Sequence, residues 1–112
     1  SIRTKKRKTF FTKVIIMSKK RYISGNLADE KAKEKVKKSS HYIQNILNGE
    51  PYHSLMIDLS ENKDDERQRK ANIAILMQCD SIYMLKGWEE SNEATTEHYL
   101  AKDLNMEIIY EE

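Results

Sequence analysis

The carboxyl-terminal part of the chain reads as a strand, a loop, a helix and a second strand in close succession. Residues 82–85 (IYML) form a short apolar run, which predicts a buried strand. Residues 86–90 then predict a loop, and residues 91–105 predict a helix. A second apolar run, at residues 108–110, predicts another strand. This order predicts a βαβ unit whose loop lies at the carboxyl end of a strand, where open α/β sheets place their ligands.

The preceding sequence predicts two further strand and helix pairs. Residues 21–24 are expected to form the first core strand, followed by a helix over residues 27–48 that Asn26 would cap. Residues 55–59 are expected to form the second strand, and residues 65–78 the second helix. Two adjacent rows of that helix qualify as its buried stripe, and the pattern does not choose between them: Ala71, Ala74, Ile75 and Gln78, or Ile73, Leu76 and Met77.

These elements predict an α/β fold, a small Rossmann-like (flavodoxin-like) three-layer sandwich. Helical connections imply parallel strands with right-handed crossovers, so we expect a mostly parallel sheet of four or five strands in the order 2-1-3-4. The ligand crevice is expected between strands one and three. A length of 112 residues suits one domain, predicted at residues 17–112. Residues 1–16 are interpreted as a basic extension, in which residues 10–16 could add an edge strand.

Charge and cysteine content bear on partners and location. The net charge is only +2, yet nine of the 20 Lys and Arg residues fall in the first 21 positions. Residues 1–8 (SIRTKKRK) could contact nucleic acid through its phosphates, although a solvated tail is favoured because no aromatic residues interleave. One cysteine excludes an internal disulfide and favours a cytoplasmic location. Every apolar run is too short to span a membrane, so no membrane partner is expected.

Glu97 fits a purely structural role less well than its neighbours do. A carboxylate among small apolar residues is costly unless it is paired or used in chemistry. The alternative is that Glu97 lies at the edge of the stripe and reaches water, and spacing alone leaves both interpretations open. Five residues spaced three or four positions apart share one face of the last helix: Ala94, Glu97, His98, Ala101 and Leu104.

Two predicted strand ends border the crevice, and each is followed by a helix. Helix amino termini suit phosphates or carboxylates, and a glycine lets a ligand approach the backbone. An ordinary turn at Gly25 and an ordinary helix cap at Ser91 explain these residues equally well. The candidate binding residues here are Ser24, Gly25, Asn26, Gly87, Trp88 and Ser91. Trp88 could stack on a base or pack on a neighbouring subunit.

Four motifs occur in order along the chain: Tyr22-Ile23-Ser24-Gly25, Cys79-Asp80-Ser81-Ile82-Tyr83, Gly87-Trp88-Glu89 and Ser91-x-x-Ala94-x-x-Glu97-His98-x-x-Ala101. Over about residues 20–111, they resemble a small family of uncharacterised α/β domains. That family is allied to the nucleoside 2-deoxyribosyltransferases and the deoxynucleotide N-glycosidases. In these enzymes a glutamate attacks the anomeric carbon of a deoxyribose and displaces the base. The resemblance implies that Glu97 is the catalytic nucleophile and that Tyr22 orients it.

Two positions depart from the pattern that the resemblance implies. Asn72 stands where related domains carry an aspartate, and an amide can bind a base or sugar but cannot donate a proton as an acid. Glu93 stands where a glycine is usual, and it adds a negative charge where a phosphate or sugar would sit. These departures leave open whether the site turns over a substrate.

The sequence is therefore compatible with three functions. The first is cleavage or transfer at the N-glycosidic bond of a nucleoside or nucleotide. The second is non-catalytic binding of the same ligands, and the third is an oligomeric interaction protein. A homo-oligomer is expected because a sheet this small buries little surface, and related enzymes complete their sites with a neighbouring subunit. No cofactor is implied, and His41, His53 and His98 show no metal-ligand spacing.

Overall fold

The computed structural model describes residues 18–56 and 65–112, in which strands and helices alternate. The predicted edge strand at residues 10–16 and the basic residues 1–8 lie outside the described residues. Short 3₁₀ turns at Ser54–Met56 and Trp88–Glu90 follow the second and third strands. The regular elements are β1 (Lys19–Ser24), α1 (Ala32–Asn45), β2 (Gly49–His53), α2 (Asp65–Met77), β3 (Ser81–Met84), α3 (Asn92–Asp103) and β4 (Glu107–Tyr110).

The four strands of the described chain form one parallel sheet in the order β2-β1-β3-β4. Both the strand order and the parallel pairing confirm the prediction from sequence. Each of the first three strands is followed by a helix that returns the chain to the start of the sheet, which is the connection that parallel strands require. After β1 the chain continues to β2 on one side of the sheet, and after β3 it continues to β4 on the other side. The carboxyl ends of β1 and β3 therefore lie side by side, while the segments that follow them lead away in opposite directions.

Helices cover both faces of the sheet and make it a three-layer sandwich. Residues alternate between the faces along each strand, so Tyr22 and Ile23 point in opposite directions. Because both faces are covered, adjacent residues are buried in the central strands: Tyr22 and Ile23 in β1, and Ile82, Tyr83 and Met84 in β3. The core between the sheet and helices α2 and α3 contains Tyr22, Leu76, Ile82, Met84, Ala94 and Ala101. The core between the sheet and α1 contains Ile23, Val36, Ile43, Tyr83 and Leu85.

The first helix is shorter at both ends than the sequence predicts. α1 begins at Ala32, and the Asn26 Oδ1 accepts a hydrogen bond from the Ala28 backbone N–H at 3.3 Å. Asn26 therefore closes a turn before the helix and does not cap it. At the other end Asn48 has a φ of +52°, and this left-handed residue turns the chain into β2. The prediction of a helix over residues 27–48 is wrong by about a turn at each end.

The second strand lies earlier than predicted. The expected strand at residues 55–59 is wrong, because its first two residues belong to a 3₁₀ turn; residues 57–59 lie outside the described residues. β2 instead contains Pro51, which is tolerated because β2 is an edge strand and one side of it needs no N–H donor. Glycine at position 49 leaves room for the Arg21 side chain, because a Cβ there would lie 2.9 Å from the Arg21 Cδ.

Each predicted row of α2 is right in one residue. Leu76 from the second row is buried, and Ile75 from the first is partly buried against the core. Asn72, which belongs to neither row, is also buried. Ala74 and Met77, one from each predicted row, are exposed. The buried face of α2 is shifted by about one residue from the predicted rows. This difference in helix orientation places Asn72 against the sheet.

Candidate functional site

The Glu97 carboxylate is buried and accepts two short hydrogen bonds from β1. The Tyr22 hydroxyl donates to Oε2 and the Ser24 hydroxyl to Oε1, each at 2.6 Å. Tyr22 and Ser24 lie two residues apart on one strand, so both side chains face α3. Only 5% of Glu97 is exposed, so it lies within the helix stripe and not at a water-exposed edge. The stripe ends before Leu104, which is 50% exposed.

Opposing effects set the protonation of this carboxyl. Burial raises the pKa of Glu97, whereas the hydrogen bonds from Ser24 and Tyr22 lower it. The neighbouring Glu93 carboxylate raises the same pKa, and the Arg69 charge lowers it. Burial, followed by the Glu97 charge, raises the pKa of Tyr22 far above its ordinary value, so its hydroxyl remains a donor. Glu97 thus titrates above the usual glutamate range.

Removing the Tyr22 hydroxyl tests this arrangement. Tyr22→Phe is expected to lower the free energy of unfolding by about 1.5–3 kcal/mol, because a buried carboxylate loses a charge-assisted hydrogen bond. The same loss should raise the pKa of Glu97 further. Urea denaturation measures the first effect. Tyr52→Phe is the matched control, since Tyr52 pairs with Tyr22 on the adjacent strand. If the two variants lose equal stability, the Tyr22–Glu97 hydrogen bond contributes little.

A cavity of about 210 Å³ opens in front of Glu97. It lies at the carboxyl end of β1, between α2 and the start of α3. Predicted site residues from three separate elements meet in it: Tyr22, Ser24, Gly25, Asn26, Asn72, Ser91 and Glu97. Other lining residues were not predicted as site residues, among them Ser54, Gln68 and Arg69.

Asn72 presents its amide to this cavity. The side chain is buried, and its Oδ1 accepts a hydrogen bond from the Gln68 Nε2 at 2.7 Å. Within residues 18–56 and 65–112, the Asn72 Nδ2 donates no hydrogen bond, so its two N–H bonds are available to a ligand. The spacing of Gln68, Asn72 and Leu76 at four-residue intervals is the signal that could have identified this row from sequence.

The start of α3 is capped by its own chain. Ser91 is the N-cap, and its Oγ accepts from the Ala94 backbone N–H at 3.2 Å. The same hydroxyl donates to the Glu93 Oε2 at 3.4 Å. Glu93 lies in the first turn of α3, where a carboxylate also favours the helix dipole. The helix terminus therefore carries a cap and an anion supplied by the protein.

The two predicted glycines have structural reasons of their own. A Cβ on Gly25 would lie 2.6 Å from the Leu85 Cβ, so glycine lets the carboxyl ends of β1 and β3 pack closely. Gly87 has a φ of +81°, a left-handed conformation that glycine adopts without strain. Gly25 lines the cavity, whereas Gly87 does not.

Trp88 packs within its own chain, outside the cavity. Its indole stacks on the His98 ring, with centroids 4.2 Å apart. The His98 Nε2 and the Tyr110 hydroxyl share a hydrogen bond of 2.8 Å. These contacts join the loop after β3 to α3 and to β4. Trp88 therefore packs on His98 of its own chain. The sequence had suggested a base or a neighbouring subunit as its partner.

A larger groove of about 1040 Å³ adjoins the cavity along α1. The two spaces share Leu27, Ser54, Gln68 and Asn72 as walls. The groove continues past Val36 and His53, and burial lowers the pKa of His53 and so favours its neutral form. The sequence analysis placed neither His53 nor Ser54 beside the crevice, because it placed β2 too late in the chain.

Other reactive or membrane-related features are weaker. Burial and the Asp80 charge raise the pKa of Cys79 to about 11, which makes its thiol a poor nucleophile at neutral pH. No group of three His, Cys, Asp or Glu side chains within residues 18–56 and 65–112 is arranged to hold a metal ion. In the same residues, no helix has the length and apolar character needed to cross a membrane.

Comparison with known proteins identifies the family. The family described as "Domain of unknown function (DUF4406)" matches residues 19–110, which is most of the chain, and the protein belongs to it. No curated protein matches the chain.

Proposed function

We propose that this member of the DUF4406 family cleaves or transfers the N-glycosidic bond of a nucleoside or nucleotide, with Glu97 as the nucleophile. The observation that carries the proposal is the buried Glu97 carboxylate, held by two hydroxyl donors beside a cavity. Placing a carboxylate in such a site costs free energy, and such sites are frequent where a side chain does chemistry. The sequence resemblance to the nucleoside 2-deoxyribosyltransferases supplies the reaction.

The reaction proceeds in two displacements at C1′ of the sugar. In the first, a Glu97 oxygen bonds to C1′ while the bond from C1′ to the base nitrogen breaks. The base leaves with the electron pair and takes a proton from water. In the second, water or another base attacks C1′, the ester bond to Glu97 breaks, and the attacking group loses a proton to solvent. Two inversions at C1′ give net retention of configuration.

Tyr22 and Ser24 position the nucleophile in this scheme. Each donates to a different carboxylate oxygen, so the plane of the carboxyl group is fixed relative to the cavity. Their hydrogen bonds favour the ionised form and oppose the effect of burial. Because the balance leaves the pKa of Glu97 raised, turnover should increase with pH through a range above that of an ordinary glutamate.

A chromatographic assay for released base tests the proposal. The protein is incubated with the common deoxynucleosides and their 5′-monophosphates, with and without a second base. Glu97→Ala should reduce base release by at least about a thousandfold, because the nucleophile is lost. Glu90→Ala is the matched control, since Glu90 is exposed in the loop before α3 and lies outside the cavity lining.

Two outcomes would count against the proposal. One is the absence of free base from every substrate at high concentrations of the unmodified protein. The other is base release that Glu97→Ala and Glu90→Ala reduce equally, since Glu97 would then have no special part in it.

A second candidate function is binding of the same ligands without turnover. Asn72 favours it, because the buried amide can donate hydrogen bonds to a base or sugar but cannot protonate a departing base. Calorimetry would separate the two functions. Binding that persists in Glu97→Gln, together with no base release by the unmodified protein, supports the binding function.

A further inference from the structure

We infer that the site takes unphosphorylated nucleosides in preference to their 5′-monophosphates, and that Glu93 sets this preference. The inference rests on the proposed function and specifies its substrate class. It follows from the shape of the two adjoining spaces and from the charges along their walls.

The sizes of the two spaces decide where the base lies. The cavity beside Glu97 measures about 210 Å³, below the roughly 300–1,000 Å³ typical of sites that enclose a whole small molecule. The adjoining groove measures about 1040 Å³ and shares Gln68 and Asn72 with the cavity. A sugar with C1′ beside Glu97 therefore occupies the cavity, and its base extends past the Asn72 amide into the groove.

This orientation directs the 5′ end of the sugar towards Glu93. The cavity walls that the groove does not share include Gly25, Asn26, Arg69, Ser91 and Glu93. Gly25 offers no side chain, and the Ser91 hydroxyl is already engaged by the Ala94 N–H. The Glu93 Oε2 accepts from Ser91, whereas its Oε1 has no hydrogen bond within the described residues and can accept one from a sugar hydroxyl.

The charge of the same wall disfavours a phosphate. Three charged side chains line the cavity, namely Arg69, Glu93 and Glu97. With both carboxylates ionised, the cavity carries a net negative charge despite the guanidinium. The amino terminus of α3 offers little compensation, because Ser91 caps it and Glu93 supplies an anion in its first turn. A 5′-phosphate would meet like charge, whereas a 5′-hydroxyl can donate to Glu93.

Calorimetric titration of the full chain tests the inference at pH 8, where phosphate monoesters carry two charges. The probes are 2′-deoxyadenosine, 2′-deoxyguanosine, 2′-deoxycytidine and thymidine, each paired with its 5′-monophosphate. For the best-bound nucleoside we expect a Kd about tenfold below that of its monophosphate. Glu93→Gln should reduce that ratio to about threefold or less, mainly by improving binding of the monophosphate. Glu90→Gln removes the same charge outside the cavity and should leave the ratio unchanged.

Each result separates this inference from the proposed function. A monophosphate that binds the unmodified protein more tightly than its nucleoside overturns the inference, as does a ratio that Glu93→Gln leaves unchanged. Base release from a preferred monophosphate would overturn the inference and keep the proposed function. Nucleoside binding with the expected ratio of Kd values but no base release would overturn the proposed function and keep the inference on nucleoside preference. Failure of every probe to bind at millimolar concentration overturns both.

Discussion

Leu76→Ala is expected to lower the free energy of unfolding by about 2–5 kcal/mol. Leu76 has no exposed surface and packs against Tyr22 and Ile82 between α2 and the sheet. The substitution removes three carbon atoms from a contact that the rigid strands cannot close, so a cavity remains. The effect should be visible as a lower denaturation midpoint in urea.

Met77→Ala is the matched control for this experiment. Met77 follows Leu76 on the same helix and is 44% exposed. Since alanine is a good helix former, the control should cost less than about 1 kcal/mol. Equal losses in the two variants would mean that α2 is oriented differently, with the row of Met77 towards the sheet. The pair of variants therefore tests the helix rotation that brings Asn72 into the cavity.

Glu97→Gln is expected to abolish turnover while leaving the fold intact. The amide is nearly isosteric with the carboxyl group, and one of its atoms can accept from a hydroxyl while the other donates to the second. It cannot attack C1′ as a carboxylate does, so base release should fall by at least about a thousandfold. Retained activity in this variant would exclude Glu97 as the nucleophile.

The stability of the same variant should depend on pH in a defined direction. Because burial raises the pKa of Glu97 in the folded protein, the folded state binds a proton more tightly than the unfolded state. Stability from this group is present below the unfolded pKa and is lost as pH rises through the folded pKa. Glu97→Gln lacks this loss. Its stability relative to the unmodified protein should therefore rise from about pH 4.5 upwards and then level off.

Urea denaturation at a series of pH values measures this difference. Glu90→Gln is again the control, because Glu90 is exposed and lies outside the cavity lining. A difference between Glu97→Gln and the unmodified protein that stays constant with pH would contradict the raised pKa. A difference that falls with rising pH would mean that the hydrogen bonds from Tyr22 and Ser24 outweigh burial.

The sequence predicted the sheet better than the positions of its edges. The order β2-β1-β3-β4 follows from helical connections between short apolar runs, and those runs are strong where strands are buried on both faces. β2 was placed wrongly because Gly49 and Pro51 are ordinarily turn residues. Their presence here depends on the Arg21 side chain and on the edge position of the strand. Such tertiary causes leave no local pattern in the sequence.

The same distinction applies to the candidate site. Helical spacing placed Glu97 on the packed stripe of the last helix but left its burial open, whereas Tyr22 and Ser24 follow from the end of the first strand. Gln68 shares a four-residue row with Asn72, but the choice of that row, and with it the place of Arg69, depends on which residues fit between the helix and the sheet. Trp88 stacks on His98 from a different element, and the sequence contains no sign of that contact.

The position of β1 at the centre of the sheet has a consequence for the order of folding. The Arg21 guanidinium donates to Ser81 and, at 2.6 Å, to Glu107, so residues 86 positions apart meet at one end of the sheet. Contacts this distant in sequence carry a large loop-closure entropy, and a parallel sheet has no hairpin to nucleate it. This end of the sheet is therefore complete only when β4 has joined β1 and β3. We therefore expect the domain to acquire its core in one late, slow step once β4 is available.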